Sequence, residues 1–412
     1  MAYTGITSAV GLAIESYFCQ PPLSSTNPAT VGIAGTNPLR YMMVEPGGGF
    51  AGEAELSLGA EVDGDIQLLR APIVGRRYQG AFRFYADPEN LFYPLLGVFG
   101  RDIASTQQAA SSTNPAVYQH QFLPGRQIPS FSVEEDIGDG TWARLSTGVL
   151  VQKLELQLAR LFTAEVTFLA HRQLPNRYPD GNGHFVDYFF GSTPTLLPPA
   201  MGGNGSLTVV RTPPPPSFVD VSANGGGPFV FAEIGYGTQA GFASAWLQVD
   251  GNPIAINLLE GSRILFEREI QSVLVAGSGY DPGAAVVNRF LCSGRLVCLY
   301  DAMDLPEAAL AARQVSLNFA VTGVGIGSTG LSYHMEVHLP NLRILRAPLP
   351  LTEGMLAIDA DFVGLRDPIL GYAAKVTLVN TVNAAILGGQ FGSGGGSSSI
   401  AGFSNGIGWI ST

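Results

Sequence analysis

Two stretches of this 412-residue chain, 214 positions apart, carry the same strand-into-helix pattern, and that repetition limits what the chain can fold into. The first is residues 80–97, GAFRFYADPENLFYPLLG. Phe82 and Phe84 alternate with Arg83 and Tyr85, the period of a strand with one apolar face. Asp87 then stands where a carboxylate can accept from the orphan amides of a helical turn. Pro88 follows at a position where a missing N–H is harmless, and Gly97 supplies a stop. The second stretch is residues 293–310, SGRLVCLYDAMDLPEAAL, which sets Gly294 on Gly80, Leu296 on Phe82, Asp301 on Asp87 and Leu305 on Leu91. Asp304 with Glu307 makes a capping-box variant, and residues 308–314 are mostly good helix formers. Asp87 and Asp304 are therefore the expected helix caps. A second pair of segments, Ala164-Glu-Val-Thr-Phe-Leu and Ala374-Lys-Val-Thr-Leu-Val, follows in the same order at an offset of 210. Two anchors at nearly one offset read as a duplicated unit.

The totals agree with two β-rich units. The length allows two or three domains, each able to bury its own core. Charged residues are 13 % of the chain, with 52 Gly and 28 Pro, which favours many short strands joined by tight turns. A hydrophobic share of 46 % argues against disorder. So few charges on so large a surface point to burial against other subunits, since interface cores are depleted in charge. The net charge of −11 argues against a general phosphate-binding surface. Cys19, Cys292 and Cys298 form no CxxC pair and read as reduced thiols. The first basic residue is Arg40, so no signal peptide of the usual form is expected, and no apolar run reaches membrane-spanning length. A soluble protein made in a cytoplasm is the expectation.

Along the chain, residues 1–40 are rich in Ala, Gly, Ser, Thr and Pro and read as an arm, with one strand near Leu12 to Phe18. A first domain is expected over residues 41–190. Within it Glu53-Ala-Glu-Leu-Ser-Leu alternates, and residues 101–127 form a long loop with no sustained period. Phe131-Ser-Val-Glu-Glu-Asp reads as a strand ending at Gly138. Residues 149–158 satisfy both a strand and a helix; the strand is preferred because Glu165-Val-Thr-Phe-Leu reads as its hairpin partner. Residues 191–217 hold the proline run 213–216 and form a linker. A second domain spans 218–387, with alternating strands at 315–321 and 356–362. Residues 388–412 form a Gly/Ser-rich tail whose last residues, with Trp409, could dock.

Chemistry is sought and not found. Residues 325–330, GIGSTG, fit a dinucleotide fingerprint in letters, but a strand follows where the motif needs a helix, so a hairpin turn is the better reading. Asp180-Gly-Asn-Gly-His184 begins like a calcium loop, yet Gly191 stands where the bidentate Glu belongs. Glu134, Glu135 and Asp136, with Asp139, form a carboxylate cluster read as a solvated strand end. His334 and His338, four apart in an expected strand, lie too far apart for easy joint ligation. No catalytic residue, cofactor site or metal site is assigned.

Residues 147–156, TGVLVQKLEL, followed by 163–170, TAEVTFLA, resemble a recurrent pattern in the tail tube proteins of long-tailed bacteriophages. Residues 131–136 and 91–97 fit the same family, as do 333–342 and 366–380 in the second half. The likeness covers most of residues 40–383; the 101–127 segment and the Gly/Ser-rich tail depart from it. The resemblance implies a mainly β fold: two tandem tail-tube-type β-sandwich or half-barrel domains, each with a short flanking α-helix. It implies a structural virion protein, not an enzyme, that joins its neighbours into rings stacked as a tail tube, the conduit for genome delivery. A ring of three chains with pseudo-sixfold symmetry is expected from the duplication, with six chains as the alternative. Other phage tail proteins would be partners, and genomic DNA would pass without specific binding; no membrane is involved. The protein would be assembled in the bacterial host cytoplasm and reside in the virion tail. Candidate contacts between rings are Pro46, Gly47, Gly48, Gly49 and Phe50 in one turn. The others are Arg101, Asp102, Gln107, Gln108, Tyr118 and Gln127 in the long segment. A tail terminator, a decoration protein, or a polysaccharide-acting enzyme using Glu134, Glu135 or Asp136 are the other readings.

Overall fold

The computed structural model describes residues 9–15, 18–19, 30–31, 40–45, 47–56, 73–86, 88–111, 114–137, 142–158, 162–174, 177–179, 185–187, 208–209, 242–249, 252–255, 261–273, 282, 284–299, 304–311, 313–348 and 357–382. The first half contributes β1 (Ala9–Ile14), β2 (Thr30–Val31), β3 (Arg40–Met43), β4 (Gly49–Leu56), β5 (Ile73–Tyr85) and α1 (Phe92–Phe99). It continues with β6 (Gly100–Gln108), β7 (Val117–Pro124), β8 (Phe131–Ile137), β9 (Trp142–Leu158), β10 (Thr163–Ala170), β11 (Arg172–Leu174), β12 (Arg177–Pro179) and β13 (Phe185–Asp187). The second half contributes β14 (Thr208–Val209), β15 (Phe242–Val249), β16 (Asn252–Ala255), β17 (Ser262–Val273), β18 (Ala284–Leu299) and α2 (Asp304–Leu310). Then come β19 (Val315–Gly325), β20 (Ser332–Arg346), β21 (Ala357–Gly364) and β22 (Lys375–Asn380). Eighteen of these strands join one large antiparallel sheet.

The same series of pairings is made twice. In the first half β3 pairs β1, β1 pairs β8, β8 pairs β9, β9 pairs β10, β10 pairs β5, and β5 pairs β4. In the second, β16, β15, β19, β20, β21, β18 and β17 pair in that order. The long strands β9 and β20 occupy matching places. The C-terminal part of each takes β10 or β21, and the N-terminal part takes β11 or β22. Val166 lies opposite Phe82, and Ala360 lies opposite Leu296. The counterpart of β10 is therefore β21, not β22 as the Ala374 segment led one to expect. That segment matched by its apolar letters alone. The β6–β7 hairpin has no counterpart and accounts for the changed spacing, part of which a longer β19–β20 hairpin restores.

The duplicated strand-into-helix stretch forms, with the first helix starting beyond its expected cap. α1 begins at Phe92, with Leu91 at the N-cap position and no side-chain cap. Asp87 lies outside the described residues, and Pro88 sits in a turn ahead of the helix rather than at its first position. Nor does Gly97 end it: the helix runs on to Phe99, and Gly100 (φ 78°) takes the left-handed stop. Gly97 is needed for another reason, because a Cβ there would lie 2.3 Å from Val151 Cγ2. All eight residues of α1 are buried, so it is a core element rather than a surface helix. The rings packed on it include Phe122, Phe131 and Phe266, each fully buried, and burying one such ring contributes roughly 1.5–3 kcal/mol. In the second copy α2 starts at Asp304 and ends at Leu310, shorter than the 308–314 run of helix formers implied.

Two expectations about organisation change. The first segment, read as an arm, contains β1, which pairs on both edges and buries Val10, Leu12 and Ile14. The strand sits earlier than the expected Leu12 to Phe18. Residues 101–127, read as a loop, are largely the β6–β7 hairpin. The strands at 131–136, 149–158 with 163–170 and 315–321 form where expected, and that expected at 356–362 forms over its described residues, 357–362. The 325–330 glycines make the β19–β20 turn, with Ile326 and Leu331 bonded across it. The linker apart from Thr208 and Val209, the 180–184 turn and the Gly/Ser-rich tail fall outside the described residues. Within the described residues no helix is long and apolar enough to cross a membrane.

Candidate assembly surface

The halves are joined by a seam. The C-terminal part of β9 receives β10 on one edge and β17 on the other, with Leu154 opposite Phe266 and Leu156 opposite Ile264 on the core side. The opposite face is polar: Lys153 stands across from Glu267, and Gln157 across from Arg263. Glu155 gathers Lys153 Nζ at 2.8 Å and Arg263 Nη1 at 3.6 Å. Burial acts to raise its pKa, but the hydrogen-bonded ammonium of Lys153, aided by Gln157 and Arg263, outweighs this and holds it below the usual value. A second joint is made where β22 pairs with β7.

Buried polar groups lock the seam. Arg268 of β17 donates Nε to Val98 O (2.7 Å) and Nη2 to Phe99 O (2.9 Å) and Gly125 O (2.8 Å). A side chain of the second half thus binds the last carbonyls of a helix in the first, where Phe99 O also accepts from Gly125 N. Burial lowers its pKa to about 10, still charged at neutral pH. His171 lies between Gly148 O (2.9 Å) and Ala284 O (3.2 Å), and burial pushes its pKa down. Asn380 Nδ2 donates to Pro88 O (3.0 Å), and Glu89 accepts from Thr381.

The turn ahead of β4 is held by its own chain. Gly47 has φ +107°, and a Cβ on Gly48 would lie 2.6 Å from Ala81 O, so glycine is required at both. Phe50 is committed to the core, 5.6 Å from Phe82 and 6.1 Å from Phe168 between ring centroids. Gly47 and Gly48 remain exposed; Pro46 lies outside the described residues. Phe50 N donates to Glu135 Oε1 at 2.8 Å, and Arg144 Nη2 pairs with that carboxylate at 2.9 Å. The carboxylate cluster is therefore no solvated strand end. Glu134 and Glu135 are buried because β8 lies between β1 and β9, and burial raises the Glu135 pKa despite Arg144.

The hairpin divides the remaining candidates. Arg101, Gln107 and Gln127 are exposed, and Gln108 and Tyr118 are half-buried. Asp102 points inward and pairs with His120 Nδ1 at 2.8 Å, while His120 Nε2 meets Val382 O at 3.0 Å. Asn114 Oδ1 accepts from Ser328 N and Oγ, tying the hairpin tip to the β19–β20 turn. His334 and His338 are spent on Thr322 and Tyr372. No cluster of three or more His, Cys, Asp or Glu able to hold a metal occurs among the described residues.

What remains outward is edges and one polar face. Among the described residues β4 pairs with β5 alone, and Ala51 to Leu56 are all exposed. Its counterpart β17, flanked on both sides, alternates buried and open. A shallow depression of about 410 Å³ lies beside β4, lined by Ala51, Glu53, Arg77, Gln79 and Thr167 among others.

The described residues thus present an antiparallel sheet with unpaired edge strands and a structured hairpin. The phage tail tube protein family matches residues 5–364, so the chain belongs to that family. It is a component of the phage tail tube, built of stacked rings, and hence of the virion tail; it is not an enzyme. No curated protein matches the chain. Among solved structures, the Hcp1 protein of the E. coli EAEC 042 pathovar, in a doubly substituted form, is similar at 11 % identity. It covers 34 % of this chain and 96 % of its own, with a TM-score of 0.19. An Hcp protein is similar at 11 % identity, over 34 % and 97 %, with a TM-score of 0.18. At such TM-scores neither bears on the fold, and membership rests on the family match.

Proposed function

We propose that three copies of this chain form each ring of the tail tube, each copy supplying two tandem tail-tube-type β-sandwich or half-barrel domains with a flanking helix. The first domain, expected over 41–190, would also take in β1 from the segment read as an arm, the second would span 218–387, and 191–217 would be the connection between them. The observation that carries the reading is the series of pairings made twice and joined by the β9–β17 seam. One chain then holds two neighbouring places of a sixfold arrangement, and three chains fill it.

The face of β4, β5, β10, β9, β17, β18 and β21 turned from the core would line the bore. It carries Glu53, Glu165, Glu267, Asp359 and Asp361, interleaved with Arg77, Lys153, Arg263 and Arg295. The acids repel DNA phosphates, and the basic groups are largely turned to neighbouring carboxylates, as in Arg295 with Asp359. Genomic DNA then slides through without specific binding. The exposed part of the β6–β7 hairpin and the Gly47–Gly48 turn would meet the next ring or other phage tail proteins. Assembly takes place in the host cytoplasm.

Electron microscopy of the purified protein across a concentration series, with sedimentation, tests the reading. Stacked rings of uniform bore are expected; a monodisperse monomer at high concentration would contradict it.

A further inference from the structure

Three residues that follow β1 clip the first half of the molecule to the second. Phe18 packs, with Ile270, against a small apolar cluster drawn from both: Ile128 and Leu150 of the first half, Ala285 and Val287 of the second. Its ring meets His171 edge-on, 4.7 Å between centroids, and His171 in turn lies between Gly148 O and Ala284 O. Cys19 is held at φ +59°, a left-handed backbone that a residue with a side chain keeps only where its surroundings impose it. Glu15 imposes it. Oε2 of Glu15 accepts from Cys19 N (3.0 Å), while Oε1 accepts from Gly148 N (2.9 Å) and Ser132 Oγ (2.9 Å). Gly148 leaves room for this, since a Cβ there would collide with Cys19 Sγ. One carboxyl thus fastens the segment to β8 and β9 together.

That carboxyl is fully buried, and its hydrogen-bond partners, with Ser130 beside them, are all neutral. The titratable groups around it supply no cation among the described residues. Glu134, two residues beyond Ser132 on the same face of β8, is another buried acid. His171, across Gly148, has its pKa pushed down by burial and is uncharged at neutral pH. Arg172, opposite Thr147, exerts no pull on the carboxyl, and the Cys19 thiol lies on the segment itself. Burial accordingly raises the Glu15 pKa to about 8. A protonated carboxyl fits among these partners; an ionised one lacks a counter-charge and gains solvation only by leaving. We infer that Glu15, Phe18 and Cys19 form a proton-operated latch across the joint between the halves, closed while Glu15 is protonated and lifted when its proton passes to water. Lifting exposes the Glu15 carboxylate and the Cys19 thiol, relaxes the backbone at Cys19 and uncovers Ile128, Leu150 and Ala285. The β9–β17 pairing stays in place. The latch operates within one chain and is independent of the ring reading.

The test follows the Cys19 thiol in the full chain. Cys292 and Cys298 are buried, whereas Cys19 is half-buried. Dithiodipyridine, a disulfide reagent active at acid pH, is used, and the labelled site is assigned by peptide mass spectrometry. Dividing the Cys19 rate by that of the urea-unfolded chain at the same pH removes the reagent's own dependence on thiolate. The normalised rate should rise about tenfold per pH unit between about 5.5 and 7.5 and level off above about 8, because opening then follows ionisation of Glu15. A flat normalised rate would overturn the latch. Glu15→Gln, uncharged at every pH, should abolish the pH response; a response that persists would overturn Glu15 as the proton site. Amide exchange on the unmodified chain needs no variant. Corrected for intrinsic rates, protection of Gly148 and Cys19 should fall over the same range while β9 and β17 stay protected. Loss of protection in β9 and β17 together with Cys19 would be global unfolding and would overturn a local latch.

Discussion

Glu15 shows how a single side chain sets the tolerance of this molecule to pH. It follows β1 and accepts from Ser132 Oγ (2.9 Å), Gly148 N (2.9 Å) and Cys19 N (3.0 Å) with no counter-charge among these partners. Burial pushes its pKa up to about 8 against these hydrogen bonds. A carboxyl raised on folding favours the native state while protonated. Its contribution is complete below about 4.5 and is lost as pH rises through 8. Denaturant unfolding should therefore show stability falling by roughly 1.4 kcal/mol per pH unit across that window from this group. Glu15→Gln should remove that part of the slope; an unchanged slope would contradict the assignment. At Gly97, where a Cβ would meet Val151 at 2.3 Å, Gly97→Ala should destabilise by about 1–3 kcal/mol through overpacking, measured the same way.

At the scale of elements the β6–β7 hairpin separates folding from assembly. It is extra to the duplicated pattern, its outer strand is mostly exposed, and its inner strand covers β22. Replacing residues 103–118 with a short turn keeps Asp102 and His120. That variant should give folded, soluble subunits that fail to stack; normal tubes seen by microscopy would refute the role. The hairpin also shows where the sequence was illegible. An edge strand open on both faces has no reason to alternate, so residues 101–108 carry no period. β10, β19, β21 and the C-terminal part of β9, each with one face packed on the core, were readable from Val166, Phe319, Phe362 and Leu154. The burial of Glu134 and Glu135 was hidden for the converse reason. Their environment comes from β1, which a Gly- and Ser-rich opening segment disguised as an arm. The cap at Asp87 was read from local chemistry, but α1 is held by Arg268 from 170 residues away, a partner no local window contains. Arg268→Met should loosen the helix end and destabilise by about 3 kcal/mol by removing the charged donor to the Val98, Phe99 and Gly125 carbonyls, of which Phe99 O keeps Gly125 N, read by amide exchange in α1.

On the scale of the whole molecule, the proposed ring of three chains would turn a sixfold arrangement into a threefold one. Half of the joints would then lie within the chain, held by Arg268, His171 and the Glu155 cluster, and only the others would form between copies. Substituting Glu165→Gln and Asp361→Asn on the face assigned to the bore should slow genome passage, and unchanged ejection kinetics would contradict that lining. The most direct measurement is the mass of single rings released from tubes, determined by native mass spectrometry. Three copies of the 43.4 kDa chain per ring, about 130 kDa, are predicted. Rings containing six copies would contradict the account, because the internal seam would then not stand in for a joint between chains.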